Sequence, residues 1–398
     1  MTPMSPMRNL FAAALVWLGF AGAALAQGSN VGNLPAWGVA GNPTASAAPP
    51  AQADLSTLFD GKFCSTSGSF MERGASAWNC QTSLQTQTLL SIFAKPGGRL
   101  TLTSATPVMT ATASAQTSVF YAPYVSPYVP IYNGTQVGIY QFTSSNSDTV
   151  GLTLTLGSNW AANAAYDVFV FLNSGTVTLC TVTWTNTTTR ATALAIFGGI
   201  LTNGASATCR TTNAATVTLA QNQGTYLGSF YTNGSTGTVD YIFGAAASGG
   251  TAASLGIWNY YNRVMVVTTV TDTNGSYTSN QNGTIREAGG STTNIVKFIT
   301  GVVEDGVVAS VNAQSATAAS AGASASWGVG CNSTTAFTGN PATVKAVNAV
   351  ALQTGGAATA QCSPPIGVYT ISSNETSSNN TTTFNVNSTN TLTVQLRM

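Results

Sequence analysis

The sequence predicts an all-β protein, a β-sandwich or jelly-roll-like body behind a small N-terminal module. Three observations carry that expectation. From Val119 onward, short runs rich in Val, Ile, Leu, Thr and aromatic residues recur, with turn signals about every 8–12 residues. Within the runs the period is two: Leu152, Leu154 and Leu156 alternate with Thr153 and Thr155, the pattern of a strand buried on one face. Long helical stretches are absent, and charged residues make up 6% of the 398, against about 25% in an ordinary domain. Hydroxyls and amides must therefore supply most of the polar surface.

The chain begins with the pattern of a secretion signal. Arg8 is a positive n-region, Leu10 to Ala23 an apolar h-region, and Ala24-Leu25-Ala26 a small-residue cleavage site. The run is short for a bilayer span of ~20 residues, so residues 1–26 read as a signal peptide and the mature protein as secreted. Residues 27–55, rich in Pro, Gly, Ala and Ser without a sustained period, read as a linker. Residues 56–115 read as a small disulfide-closed module and connector, holding Lys62, Glu72 and Arg73 among the chain's scarce charges. Inside it, Leu84 to Ala94 suits a short helix or a strand, and Thr101 to Ser114 is a polar connector. Residues 116–398 form the expected body, with a subdomain boundary near 250 if it divides.

Expected strands of the body are Val119–Tyr124, Gln136–Phe142, Thr149–Leu156, Thr216–Leu219, Thr225–Tyr231, Val239–Phe243, Val264–Val270, Ile295–Val303, Val307–Val311, Gly367–Ser373, Thr382–Asn385 and Thr391–Arg397. The most legible element is the hairpin Tyr166–Trp184, with its turn at Asn173-Ser174-Gly175. Its second strand changes phase between Leu179 and Cys180, which predicts a β-bulge. Glu304-Asp305-Gly306 between two valine pairs predicts a second hairpin. Ser315–Ala325 is of low complexity and suits a loop or a strand.

Six cysteines, Cys64, Cys80, Cys180, Cys209, Cys331 and Cys362, follow the secretion signal, and their even number implies disulfides. Pairing in sequence order would close three short loops, with Cys180 tying the hairpin to the segment carrying Cys209. The sequence itself leaves the connectivity open. With no histidine and no C-x-x-C pair, neither a metal site nor a cofactor is expected.

No catalytic constellation is visible. Without histidine there is no Ser-His-Asp or Cys-His arrangement. Paired carboxylates, as in glycosidases, must come from only 11 acids. Glu304 and Asp305 are neighbours at a turn and read as a solvated tip. Asp167 and Asp240 lie in strand patterns and are expected to meet a structural partner such as Arg190, Arg210 or Arg263. A net charge of +1 gives no footprint for nucleic acid. Asn-X-Ser/Thr triplets are frequent, as they must be in a chain so rich in these residues. The aromatic clusters are the better candidates for contact with a ligand. Tyr121, Tyr124, Tyr128 and Tyr132 lie in a proline-broken segment that reads as an extended edge rather than a central strand. Trp258, Tyr260 and Tyr261 precede Arg263. Such rings stack on sugars when exposed, and packing inside the protein is the competing use.

Several stretches also carry a resemblance. FCSTSGSFMERGASAWNC, VFYAPYVSPYVPIYNG, GTYLGSFYTNGSTG, IWNYYNRV, TNIVKFITGVVEDGVVASV and TTFNVNSTNTLTVQLRM resemble segments of bacteriophage and prophage tail-fibre-like proteins. The resemblance spans most of residues 56–398. It implies a virion-type β-sandwich close to host-surface recognition, without enzyme chemistry, and a homo-oligomer, a trimer in fibres, though no coiled-coil heptads accompany it. The expected function is therefore a structural or adhesive surface protein contacting a cell-surface glycan. The rivals are a virion component that binds no glycan and a secreted carbohydrate-active enzyme. A phage-derived module reused on a bacterial exterior would join the resemblance to the secretion signal.

Overall fold

The computed structural model describes residues 70–73, 78–81, 95–143, 150–279, 281–303, 306–313, 315–318, 322–345, 356–378, 382–385 and 390–398. The expected signal peptide, the linker, the segment Leu84 to Ala94, Cys64 and the Glu304-Asp305 tip lie outside the described residues. The chain divides into two units, residues 1–85 and 86–398. In the first, β1 (Phe70–Arg73) and β2 (Trp78–Gln81) form an antiparallel pair in which Met71 lies opposite Cys80.

The second unit is all-β, as expected. Its described residues contain no α-helix, only two 3-10 turns, at Thr212–Ala214 and Ala288–Gly290. One eight-stranded sheet runs β11 (Leu194–Phe197), β12 (Ile200–Asn203), β15 (Thr225–Tyr231), β9 (Ala165–Asn173), β10 (Thr176–Thr183), β13 (Ala207–Arg210), β14 (Thr216–Leu219), with β19 (Ile257–Asn259) also on β15. A second runs β27 (Ala342–Lys345), β26 (Ser324–Cys331), β29 (Gly367–Ser377), β23 (Ile295–Thr300), β18 (Ala253–Leu255), β16 (Val239–Ile242), β4 (Ala113–Gln116), with β22 (Arg286–Glu287) on β29. A third has five strands: β17 (Ala246–Ala247), β20 (Met265–Asp272), β31 (Asn390–Arg397), β24 (Val307–Ala313) and β28 (Gly356–Cys362). Three smaller sheets complete it: β21 (Ser276–Ser279), β30 (Thr382–Asn385) and β25 (Ser315–Ala318); β3 (Gly98–Thr101), β5 (Ser118–Pro123) and β8 (Leu152–Thr155); β6 (Tyr128–Tyr132) and β7 (Val137–Gln141).

The second and third sheets pack through β26 and β29 against β24, β28 and β31, as the two layers of a sandwich do. β23 meets β15 and β19, which joins the first sheet to this sandwich. A single hydrophobic core results, with Trp160, Trp258, Trp327, Phe169, Phe230, Phe298 and Phe384 among its largest members. Disulfides fix both parts. Cys180–Cys209 joins β10 to β13, and Cys331–Cys362 joins β26 in one layer to β28 in the other. These are two of the three loops that pairing in sequence order would close, and they fit an oxidising compartment.

Four sequence expectations need correction. The boundary at 115 fails because β3 pairs with β5 and β4 with β16, so residues 98–116 belong to the body. No boundary falls near 250, since strands on either side of it share sheets, β16 with β18 and β15 with β19. The hairpin across residues 304–306 is not formed: β23 pairs with β29, whereas β24 pairs with β28 and β31 in the other layer. The strand's partner is set by the layer whose core Val307, Ala309 and Val311 fill, and all three are buried. The bulge in β10 is also absent, because its pairing with β9 runs without a slip from Thr176↔Asn173 to Thr183↔Tyr166. Leu179, Cys180, Thr181 and Val182 are all buried, so both faces of the strand are covered and the apparent phase change is lost amphipathicity. The register shift lies instead between β15 and β9, at Tyr226/Gly228.

Candidate functional site

The proline-rich tyrosine segment divides by position. In β5 alternate residues point inward, and Tyr121 is 1% exposed. Its hydroxyl accepts the Gly98 N–H at 3.0 Å, and its ring lies 4.5 Å from that of Phe142. Burial pushes this phenol well above its ordinary value, with the Gly98 hydrogen bond pulling it back. Tyr121 is therefore core and leaves the set of candidate contact residues. β5 also has partners on both sides, β3 and β8, so the expected edge is its sheet's centre; Pro123 sits at its last position, opposite Gly98. Pro130 conforms to expectation, in β6, which pairs with β7 alone.

Beyond Pro123 the chain turns over the Gly97 carbonyl, which accepts the N–H groups of Tyr124 (3.1 Å), Val125 (2.7 Å) and Ser126 (3.2 Å). Position 97 has to be glycine, since a Cβ there would lie 2.4 Å from the Ser126 carbonyl oxygen. The turn leaves Val125 71% exposed, and Tyr124 and Tyr128 46% exposed each. The Arg99 guanidinium lies 5.6 Å from the centre of the Tyr124 ring. Tyr132 is half-buried, 4.6 Å from the Phe197 ring on the β11–β12 hairpin.

The second cluster divides similarly. β19 carries Trp258 into the core at 2% exposure, so Trp258 also leaves the contact set. The chain then emerges. Tyr260 packs at 6.2 Å from Trp258 and 4.7 Å, edge-on, from Tyr261. The Tyr261 hydroxyl accepts the Leu201 N–H at 3.0 Å, and burial pushes its phenol up to about 12. It stays protonated at neutral pH and keeps a hydrogen to donate.

One short segment pins both clusters. The Asn262 side-chain amide donates to the carbonyls of Pro96 (2.7 Å) and Gly98 (3.0 Å), and the Asn262 backbone carbonyl accepts from Arg99. Arg99 is 4% exposed and also donates to Pro107 O and Met398 O, both at 2.9 Å. Burial pulls it below its ordinary value. Residues 95–99 thus hold the Tyr124–Tyr128 turn on one side and Tyr260–Arg263 on the other.

Between this segment and the β11–β12 hairpin opens a pocket of about 500 Å³. Lys95, Ile196, Tyr260, Tyr261, Arg263 and Arg397 line it, and no carboxylate stands among its described lining residues. Ile196 is 78% exposed at its rim. Arg397 follows from strand alternation: Leu396 and Met398 point inward and Arg397 outward. Reciprocal bonds between Val264 and Met398, at 2.9 and 3.0 Å, lock that end of β31 beside Arg263. Sequence pattern points to Tyr260 and Tyr261 but not to Lys95, Ile196 or Arg397. Lys95 and Arg397 signal only as charge in a charge-poor chain, in KPGGR and at the end of β31, and nothing in the pattern marks Ile196.

The described buried carboxylates have structural partners. Asp167 accepts Arg190 Nε at 2.8 Å and the Ser229 hydroxyl at 2.7 Å, and Arg190 also donates to the Tyr226 hydroxyl at 2.9 Å. Burial raises the Asp167 carboxyl, and Arg190 draws it back down. Arg190 is the partner expected for Asp167. Asp240 differs from expectation. It is half-exposed, and it accepts the Ala115 N–H at 2.6 Å and the Ser114 hydroxyl rather than an arginine. Glu375 binds Arg286 at 2.8 Å and the Tyr277 hydroxyl. No cluster of three or more His, Cys, Asp or Glu suited to a metal occurs among the described residues. No helix among them is long and apolar enough to cross a membrane.

No protein-family model matches the chain, and no curated protein matches it either. Among solved structures, the chain is similar to that of infectious bursal disease virus Gx strain, at 11% identity and a TM-score of 0.18, over 75% of this chain and 76% of that one. It is also similar to an insecticidal delta-endotoxin from Bacillus thuringiensis, at 8% identity and a TM-score of 0.18, over 83% of this chain and 58% of that one. T=1 particles derived from infectious bursal virus give 11% identity and a TM-score of 0.13, over 78% and 79%. Scores of this size fall far short of a shared topology, and the functional reading rests on the chain itself.

Proposed function

We propose that the protein is an exterior structural or adhesive protein of the tail-fibre-like kind, and that it holds a cell-surface glycan in the pocket walled by Tyr260 and Tyr261. The observation that carries this reading is the meeting of half-buried tyrosines with a concave space of about 500 Å³, the size of a small-ligand site. An aromatic face covers the apolar C–H face of a sugar, while hydroxyl and cationic groups take its oxygens. The two disulfides suit a protein working outside the cell, where the N-terminal pattern would send it. No hydrolytic role belongs to the reading, because Asp167 and Glu375 are held by arginines away from this pocket.

A glycan array probed with the full chain and with Tyr261→Ala tests it. The wild type is expected to bind a defined set of oligosaccharides and the variant to lose them, with unchanged circular dichroism. Product analysis on each bound glycan should return it intact. Failure of the wild type to bind any glycan would leave the virion component without glycan binding as the better reading, and cleaved product would favour the enzyme.

A further inference from the structure

At the end of the β20–β31 pair away from the aromatic pocket, two buried oxygens face each other. Asp272, the last residue of β20, and Asn390, the first of β31, are register partners. Their side chains fall on the face that carries Val270 and Leu392 into the core, and they are 1% and 5% exposed. Asp272 Oδ1 accepts the N–H groups of Gly249 (2.8 Å) and Asn274 (2.9 Å). Asp272 Oδ2 and Asn390 Oδ1 have no hydrogen-bond partner. In the facing layer, the Ser373 hydroxyl also lacks one, on the face of β29 that carries Ile371 inward. The point that a Cβ on Gly289 would take lies 3.6 Å from Asp272 Oδ2 and 3.6 Å from the Tyr277 ring, so carboxylate and ring border one space.

We propose that Asp272 and Asn390 hold a calcium ion. A carboxylate oxygen and an amide oxygen both accept and neither donates, so no hydrogen bond can join them. The unpartnered hydroxyls of Ser279 and Thr382, also register partners, differ in this respect, since each carries a hydrogen that can turn to the other. A water, or the Asn390 amide turned over, would bring hydrogens to Oδ2 but no charge, and a buried carboxylate is costly unless a cation meets it. The two described ion pairs join Arg190 to Asp167 and Arg286 to Glu375, and Asp272 is in neither. An all-oxygen donor set suits a hard cation. Calcium takes about 6–8 oxygens at roughly 2.3–2.6 Å in a flexible geometry, whereas magnesium demands a near-ideal octahedron. Opposed side chains of an antiparallel pair start about 4.5–5.5 Å apart at Cβ, close enough for both to reach one ion. The Ser373 hydroxyl and water fill further positions. With a single carboxylate the affinity belongs to the range of extracellular calcium modules, about 0.1–1 mM.

Thermal unfolding of the full chain in EDTA, in about 10 mM CaCl2 and in MgCl2 of equal concentration tests this. Calcium is expected to raise the midpoint by several degrees, and magnesium by much less. Terbium, which takes calcium's place and is excited through a nearby tyrosine, should luminesce beside Tyr277 and be displaced by calcium. Asp272→Asn keeps the shape and removes the charge, so it should abolish both the midpoint shift and the luminescence. Asn390→Asp adds a second carboxylate and should tighten calcium about tenfold, a gain that loss of folding in the other variant cannot mimic. No rise in calcium, a rise that magnesium matches, or a response unchanged in both variants would overturn the site and leave a bound water as the partner of these oxygens.

Discussion

Asp167 shows how the chain manages its few buried charges. It is 2% exposed, and Arg190 beside it lies 4.6 Å from the Trp184 ring and 5.4 Å from that of Tyr226. Asp167, Arg190, Tyr226 and Ser229 close a ring of hydrogen bonds, the last link a 2.7 Å contact between the two hydroxyls. Removing one charge strands the other, so Arg190→Ala should destabilise the fold by about 3–5 kcal/mol. The double substitution Asp167→Leu with Arg190→Met should recover a large part of that loss. Denaturant unfolding of the three proteins measures both effects. Glu287 gives a pH signature instead. Burial raises its carboxyl from an ordinary 4.5 to about 7, with the Asn294 N–H at 3.3 Å pulling the other way. The folded form therefore binds a proton that the unfolded form has released between these values. The group's contribution is fully present below about 4.5 and is lost as pH rises through about 7. Relative to Glu287→Gln, the wild type should show a thermal midpoint that falls between pH 5 and pH 8, and parallel curves would refute the assignment.

Elements repeat the lesson at larger scale. β9 and β10 were legible because their period, their aromatic and β-branched content and their turn agree; Ser174 and Gly175 take φ of 49° and 86°, as a two-residue hairpin turn requires. β14, β15 and β30 also lie where the pattern placed them. What escaped were partners. Nothing local to Val307–Ala313 says that it joins β28 and β31 rather than β23, since that choice is made by burial against distant residues. Short strands such as β17 and β22, two residues each, are too brief to show any period. The disulfide Cys180–Cys209 bears on one of these nonlocal joins. β13 meets β10 at a single register pair, Thr181↔Arg210, so the covalent link carries much of that junction. Replacing both cysteines with serine should cost about 3–4 kcal/mol, from the loop of roughly 30 residues that it closes. Amide exchange should then rise in β13 and β14 while β9 stays protected, whereas uniform exchange across the sheet would mean that the bond acts only on global stability.

Over the whole molecule, scarcity of charge separates what holds the fold from what forms the site. Fold class was readable because hydroxyl-rich alternation and turn residues pervade the chain. The site was readable only in part, because aromatic residues serve core and surface alike: Tyr121 and Trp258 turn inward, Tyr260 and Tyr261 line the pocket, and the sequence around them does not distinguish the two uses. Lys95 and Arg397 lie some 300 positions apart, and only the pinning of residues 95–99 to Asn262 and of Val264 to Met398 brings them to one cavity. The two described ion pairs that support the fold are largely buried, with Asp167 and Glu375 side chains 3% and 0% exposed. Salt screens exposed charges within about 10 Å at 0.1 M and buried pairs far less. The stability of the protein should accordingly change little between about 0.05 and 0.5 M NaCl, because hydrophobic burial and buried pairs dominate it. Chemical unfolding in each buffer measures the response. A fold that loses stability steadily as salt rises would mean that surface charge supports the structure itself.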